Sequence, residues 1–234
     1  MAHAPENSVQ SYALAERVGA NEIELDVRCT LDDVLIVLHD ATLDRVAASE
    51  RGTGLGPVAE LRFDEVRAVL LDSGRPVLTL GEAYAATTVP LQVEIKERRC
   101  VEQVAEYMRS NSDDAARTLF TSFDADALAD LFISTPFVPR GIIVHDYPSE
   151  EKYPEGIEAL LERTGSDIFH CGWSGLTREV ADAMHDAGLG VRGWPVKSLD
   201  DMRRAVAVGV DGITSDDPEL AWSWHRQATQ ELAA

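Results

Sequence analysis

The chain has 234 residues, 45% of them hydrophobic and 26% charged, and a formal net charge of −20. Its length fits one domain in the size class of α/β barrels, so residues 1–234 are expected to form a single domain. So acidic a balance excludes nucleic acid and anionic lipid surfaces as partners, and an anionic substrate would need a metal ion or Lys/Arg at its site.

In chain order, the first expected element is a helix over Ser8–Val18, with Asn7 and Gln10 at capping-box spacing and Gly19 past its end. A strand over Glu22–Val27 follows. The tight Leu31-Asp32-Asp33 turn then leads into Val34–His39, which reads as an antiparallel hairpin arm. The segment from Thr42 to Gly81 is too long for a simple βα connection. It carries Gly52, Gly54, Gly56, Pro57, Gly74 and Pro76 and a helix around Asp64–Leu71, and it is expected to be an insertion (about 42–81) on the C-terminal face, where substrate loops gather. Thr79 with Glu82 opens the next helix.

Strands are then expected at Leu91–Ile95, Thr118–Ser122, Gly141–His145, Asp167–Cys171, Gly190–Val196 and Gly212–Ser215. They are short and rich in Val, Ile and Leu, as strands buried on both faces should be. Asp124 precedes an apolar stripe at Ala127, Leu128, Leu131 and Phe132. Ser198 opens a helix with Met202, Ala205 and Val206 on one face, which Gly209 closes, and a last helix lies around Leu220–Gln227. Regular alternation of strand and helix implies parallel strands with right-handed crossovers. No GxGxxG turn follows any strand, so a closed TIM (β/α)8 barrel fits better than an open sheet. Such a barrel needs eight parallel strands and seven are found, so the first barrel strand, which should precede Pro5, is expected to be absent from this chain.

Cys29, Cys100 and Cys171 are far apart and odd in number, which argues for thiols in a reducing cytosol rather than a disulfide framework. No apolar run approaches the roughly 20 residues of a membrane span. Met1-Ala2-His3-Ala4-Pro5 has neither the basic nor the apolar region of a signal peptide, and the expected location is cytoplasmic.

Glu22, Glu24 and Asp26 alternate along one strand and so share a face. Carboxylates aimed into a barrel are costly unless paired, and a hard divalent cation such as Mg²⁺ or Ca²⁺ is a suitable partner; a solvated strand face is the other reading. Glu94 and Lys96 share a face in the same way, either as a structural ion pair or as a metal ligand beside a phosphate clamp. His39, before Asp40, is either a packed or surface histidine or a catalytic one.

These pieces occur together and in order. Pro5-Glu6-Asn7-Ser8, Ile23-Glu24-Leu25-Asp26-Val27, Thr30 and Val37-Leu38-His39-Asp40 are followed by Leu43 and Arg45, Leu78-Thr79-Leu80-Gly81-Glu82 and Val93-Glu94-Ile95-Lys96. Ser122-Phe123, Trp194 and Gly209 to Pro218 come later. The whole resembles the glycerophosphodiester phosphodiesterase family over nearly the full chain. The resemblance implies an enzyme of lipid and glycerol metabolism that hydrolyses small-molecule glycerophosphodiesters to glycerol 3-phosphate and an alcohol. It implies that Glu24, Asp26 and Glu94 hold a divalent cation, that His39 is one of two acid/base histidines, and that Lys96 neutralises the phosphate. Trp194 would pack against the glycerol end, or else simply line the core.

The family pattern begins with a strand ending His-Arg-Gly, and neither that histidine nor that arginine is present here; His3 lies too close to Pro5 to replace it. Either the chain is shortened at its start, or it is a catalytically impaired phosphodiester-binding relative. Asp33 stands where glycine is usual, and Pro195 and Lys197 follow Trp194 where Thr and Asn are common. His145, Asp146 and His170, at strand ends, are expected at most to line the site.

Overall fold

The computed structural model describes residues 3–147 and 156–233. They fall into two compact units, residues 3–120 with 130–138, and residues 121–129 with the described residues from 139 onward.

In the first unit, helix α1 (Val9–Arg17) leads into strand β1 (Ile23–Cys29), which turns back antiparallel into β2 (Leu35–Val37) with Val27 opposite Val37. This is the expected hairpin arm. Asp33 in its turn takes φ +63°, a left-handed conformation that Asp tolerates better than most side chains. The α1 cap lies one residue later than the sequence suggested. Ser8 Oγ accepts from Ser11 N–H and Ser11 Oγ from Ser8 N–H, whereas Asn7 sits at φ +49°, outside the extended region an N-cap needs.

Beyond β2 the insertion builds its own small core. Ile36 and Leu38 of the arm pack with Leu43, Val46, Val58, Val66, Val69, Leu71 and Val77. Its helix α2 is shorter than expected, Phe63–Arg67. Helix α3 (Leu80–Ala85) starts with the expected capping box. Thr79 Oγ1 accepts from Glu82 N–H at 3.2 Å, and Glu82 Oε2 accepts from Thr79 N–H at 2.9 Å. Glu82 is also gripped in bidentate fashion by Arg67 at 2.6 and 2.7 Å, so one carboxylate caps α3 and ties the insertion to it. Strand β3 (Leu91–Ile95) pairs parallel with β1, buried along its whole length, and α4 (Val101–Ser110) and α5 (Ser112–Ala115) follow.

Strand β4 (Thr118–Ser122) and helix α6 (Ala125–Ser134) each contribute residues to both units. On α6, Ala127, Leu128 and Leu131 are fully buried, but Phe132 is exposed, so the apolar stripe is narrower than expected.

The second unit carries β5 (Arg140–Asp146), α7 (Ile157–Thr164), β6 (Ile168–Ser174), α8 (Arg178–Asp186), β7 (Gly190–Trp194), α9 (Leu199–Val208), β8 (Gly212–Ile213) and α10 (Pro218–Leu232). Strands β5 to β8 pair in sequence and in parallel. The register of β5 on β6 shifts after Val144, and there a Cβ on Gly172 would lie 2.0 Å from the His145 carbonyl oxygen, so only glycine fits. Helices α9 and α10 close a second apolar cluster around Val196, Met202, Ala205, Ala221 and Ala228. Gly209 ends α9 at φ +78° as expected. All three cysteines are buried and free. Among the described residues, no helix is long and apolar enough to cross a membrane.

Thr79→Ala removes one half of the α3 capping box. The unfolding free energy is expected to fall by about 1 kcal/mol, read as a lower urea midpoint at unchanged m-value.

Candidate active site

The parallel register of β1 on β3 sets Asp26 opposite Glu94. Period-two alternation brings Glu24 to the same face, and one oxygen from each of Glu24, Asp26 and Glu94 lies within 4.8 Å of the others. Asp26 and Glu94 are buried and Glu24 partly so. Glu22, expected on the same face, is not part of this group; it precedes β1, which begins at Ile23. Three carboxylates this close repel one another in a medium that screens poorly. Burial pushes the Glu94 carboxyl above its ordinary range, against the pull of Lys96.

Lys96 leans back into the cluster, its Nζ 2.7 Å from Glu94 Oε1 and 3.3 Å from Asp26 Oδ1. Burial works against its charge, but Glu94 and Asp26 outweigh that and hold its pKa above the usual lysine value. On the other side of Asp26, the Asn7 amide donates to Oδ2 at 3.0 Å, which is the use made of Asn7's left-handed backbone. The Tyr12 hydroxyl is buried nearby with no hydrogen-bond partner among the described residues. Burial first, then the Glu24 and Asp26 charges, push its phenol up. A converging all-oxygen donor set with an orphaned hydroxyl fits a hard divalent cation.

The hairpin arm delivers His39 to the same part of the unit. Leu38 N–H donates to the Asp26 carbonyl at 3.0 Å. The Arg28 guanidinium, paired with Glu97, donates to the His39 carbonyl through Nε at 3.0 Å and Nη2 at 2.8 Å. The ring is half exposed, and its Nδ1 lies 2.7 Å from Asp40 Oδ1. Arg45, hydrogen-bonded to Asp40 through Nε at 2.6 Å, holds that carboxyl down at about 2, and the contact with His39 adds to the effect. Neither Arg28 nor Asn7 was singled out for a role from the sequence. Arg28 shows as no more than a charge in a strand, and Asn7 looked like a helix cap.

In the second unit, Trp194 stands in an aromatic group with Phe123 and His145. Phe123 and His145 stack at 4.6 Å, and Trp194 meets each at 5.5 Å. His145 is solvent-exposed. His170, expected at most to line a site, is instead a core residue. It is 1% exposed and packs against Gly141, and burial first, then Arg192, drive its pKa down to about 3.

The chain matches the model of the glycerophosphoryl diester phosphodiesterase family over residues 1–220. It is 27% identical over 239 residues to a glycerophosphodiester phosphodiesterase of Caldanaerobacter subterraneus, covering 92% of this chain and 90% of that protein. Among solved structures, it is similar to a glycerophosphodiester phosphodiesterase from Agrobacterium tumefaciens (TM-score 0.77, 27% identity, 96% of this chain and 94% of the other). An Oleispira antarctica phosphodiesterase in complex with the product sn-glycerol-3-phosphate shares the fold (TM-score 0.82, 22% identity, 96% and 93%). The fold class is α/β, of the TIM-barrel kind.

His170 supplies a pH signature. Its folded-state pKa is depressed below the ordinary histidine value, so between about pH 6.5 and 3 the unfolded chain binds a proton that the folded chain refuses. Stability is therefore expected to fall on acidification through that window, with a slope from this group of up to about 1.4 kcal/mol per pH unit. His170→Asn should flatten that slope in denaturation series measured from pH 6.5 to 4.

Proposed function

The chain belongs to the glycerophosphoryl diester phosphodiesterase family, and on that premise we propose that it is a phosphoric diester hydrolase that cleaves glycerophosphodiesters to glycerol 3-phosphate and an alcohol. The observation that carries this reading is the convergence of Glu24, Asp26 and Glu94 beside Lys96, in the unit that also holds His39. Glu24, Asp26 and Glu94 would hold Mg²⁺ or Ca²⁺, which when bound supplies positive charge to the phosphoryl oxygens.

The remaining chemistry falls to the chain's own groups. A phosphodiester is an anion, and a protein of net charge −20 repels it unless local cations intervene. Lys96, largely buried and held protonated by its carboxylate neighbours, offers such a charge at a fixed place. His39, with Nδ1 turned to Asp40, keeps Nε2 for proton transfer: as the neutral ring it takes a proton there, and as the imidazolium so formed it gives one to the oxygen leaving phosphorus. Trp194, with its neighbour Phe123, supplies an apolar surface suited to the glycerol moiety.

The test is hydrolysis of glycerophosphocholine with Mg²⁺ or Ca²⁺. Chelation is expected to abolish turnover, and readdition of the ion to restore it. Glu24→Gln and Glu94→Gln should each lower kcat/KM by on the order of 10²–10³-fold. His39→Ala should cost about 10²–10⁴-fold. A folded chain that binds the cation but never turns over would instead be a phosphodiester-binding protein.

A further inference from the structure

Glu6, Asp40 and Arg45 belong to the motifs that carry the family resemblance, yet the cation site uses none of them, and the proton transfer uses only the face that Asp40 turns to His39. The structure lines them up. His39 Nδ1 lies 2.7 Å from Asp40 Oδ1. Arg45 donates to Asp40 through Nε at 2.6 Å and Nη2 at 3.2 Å, and to Glu6 through Nη1 at 2.7 Å and Nη2 at 2.6 Å. We propose that Glu6, Arg45 and Asp40 form a positioning relay that fixes the tautomer and the aim of the His39 ring.

A chain of surface ion pairs would by itself mean little, since exposed pairs contribute little to stability and hold no fixed geometry. Three features set this one apart. Arg45 is clamped on both edges of its guanidinium plane, and two bidentate carboxylates leave it little freedom to swing. Its far anchor is not a surface group, because the Glu6 side chain is only 12% exposed. Asp40 Oδ1 is shared between the imidazole and Arg45, so the carboxylate is set before it meets the ring.

The consequence for the ring follows from hydrogen-bond chemistry. An ionised carboxylate can only accept, so in neutral His39 the proton sits on Nδ1, and Nε2 keeps its lone pair. Main-chain contacts hold the other end of the same residue, through Arg28 on the His39 carbonyl and Leu38 N–H on the Asp26 carbonyl. The backbone grip sets where the ring stands, and the relay sets which nitrogen is free. Lysine in place of Arg45 would keep the charge but lose the planar fork. This inference rests on His39 being an acid/base group of the proposed reaction.

The experiment pairs NMR of ¹⁵N-histidine-labelled enzyme with kinetics on glycerophosphocholine, the His39 signals being assigned with His39→Gln. Neutral His39 should show a protonated Nδ1 and an unprotonated Nε2. Asp40→Ala should shift the ring towards the Nε2–H form and lower kcat by about 10–10²-fold with KM little changed, a smaller loss than that of His39→Ala. In a His39→Ala background, Asp40→Ala should cost almost nothing further, because its effect runs through the ring. Glu6→Gln, at the remote end, should move the same nitrogen signals part of the way, and it serves where Asp40→Ala folds poorly. Unchanged nitrogen signals in both variants, or an undiminished Asp40→Ala loss in the His39→Ala background, would overturn the relay. Full activity in His39→Ala would instead overturn the acid/base reading on which the relay depends.

Discussion

Three carboxylates converge, two of them on the Lys96 ammonium, and much of the first unit can be read as a response to their mutual repulsion. Like charges a few ångströms apart are held ionised in a poorly solvated place only when positive charge or donors are brought to them. Lys96 is brought back from the end of β3, the Asn7 amide comes from the start of α1, and burial keeps the Glu94 carboxyl protonated to higher pH than usual. The divalent cation proposed for Glu24, Asp26 and Glu94 would add positive charge at the same place.

The same constraint explains where the arginines go. A protein with 41 acidic and 21 basic residues has few cations to spare, and several of those in the first unit make specific pairs. Arg28 takes Glu97 and the His39 carbonyl, Arg67 takes Glu82, Arg98 takes Asp130, and Arg117 takes Asp114. Lys96 is set against Glu94 and Asp26 instead, a placement that in the proposed reaction would favour an anionic ligand there over elsewhere on so negative a surface.

How much of this could be read from the chain depended on distance along it. Period-two spacing placed Glu24 beside Asp26 and Glu94 beside Lys96, because a strand's alternation is local and rigid. The insertion was legible from its glycines and prolines, and the α3 cap from Thr79 and Glu82, since those signals also act within a few residues. The link from Glu6 to Arg45 spans 39 positions, and no local rule joins them. Asn7 was misread as a cap for a related reason. A side chain suited to a helix end is equally suited to a left-handed residue, and only the fold shows that the carboxylate, not the helix, is its partner. Glu22 and His170 stay out of the site for different reasons: Glu22 precedes the first residue of β1, and the core closes over His170, which was expected at most to line the site.

The insertion folds upon its own apolar cluster and is pinned at its exit by Arg67 and Glu82, while the arm that enters it is held by Asp26 and Arg28. Its rim, where Thr53, Leu55 and Arg51 are exposed, is tied back through Gly54 N–H to the Asp44 carboxylate at 2.7 Å, one residue before Arg45. The rim and the histidine therefore share a short path of bonds through Arg45 and Asp40, and a change of sequence at the rim is one that the ring would feel.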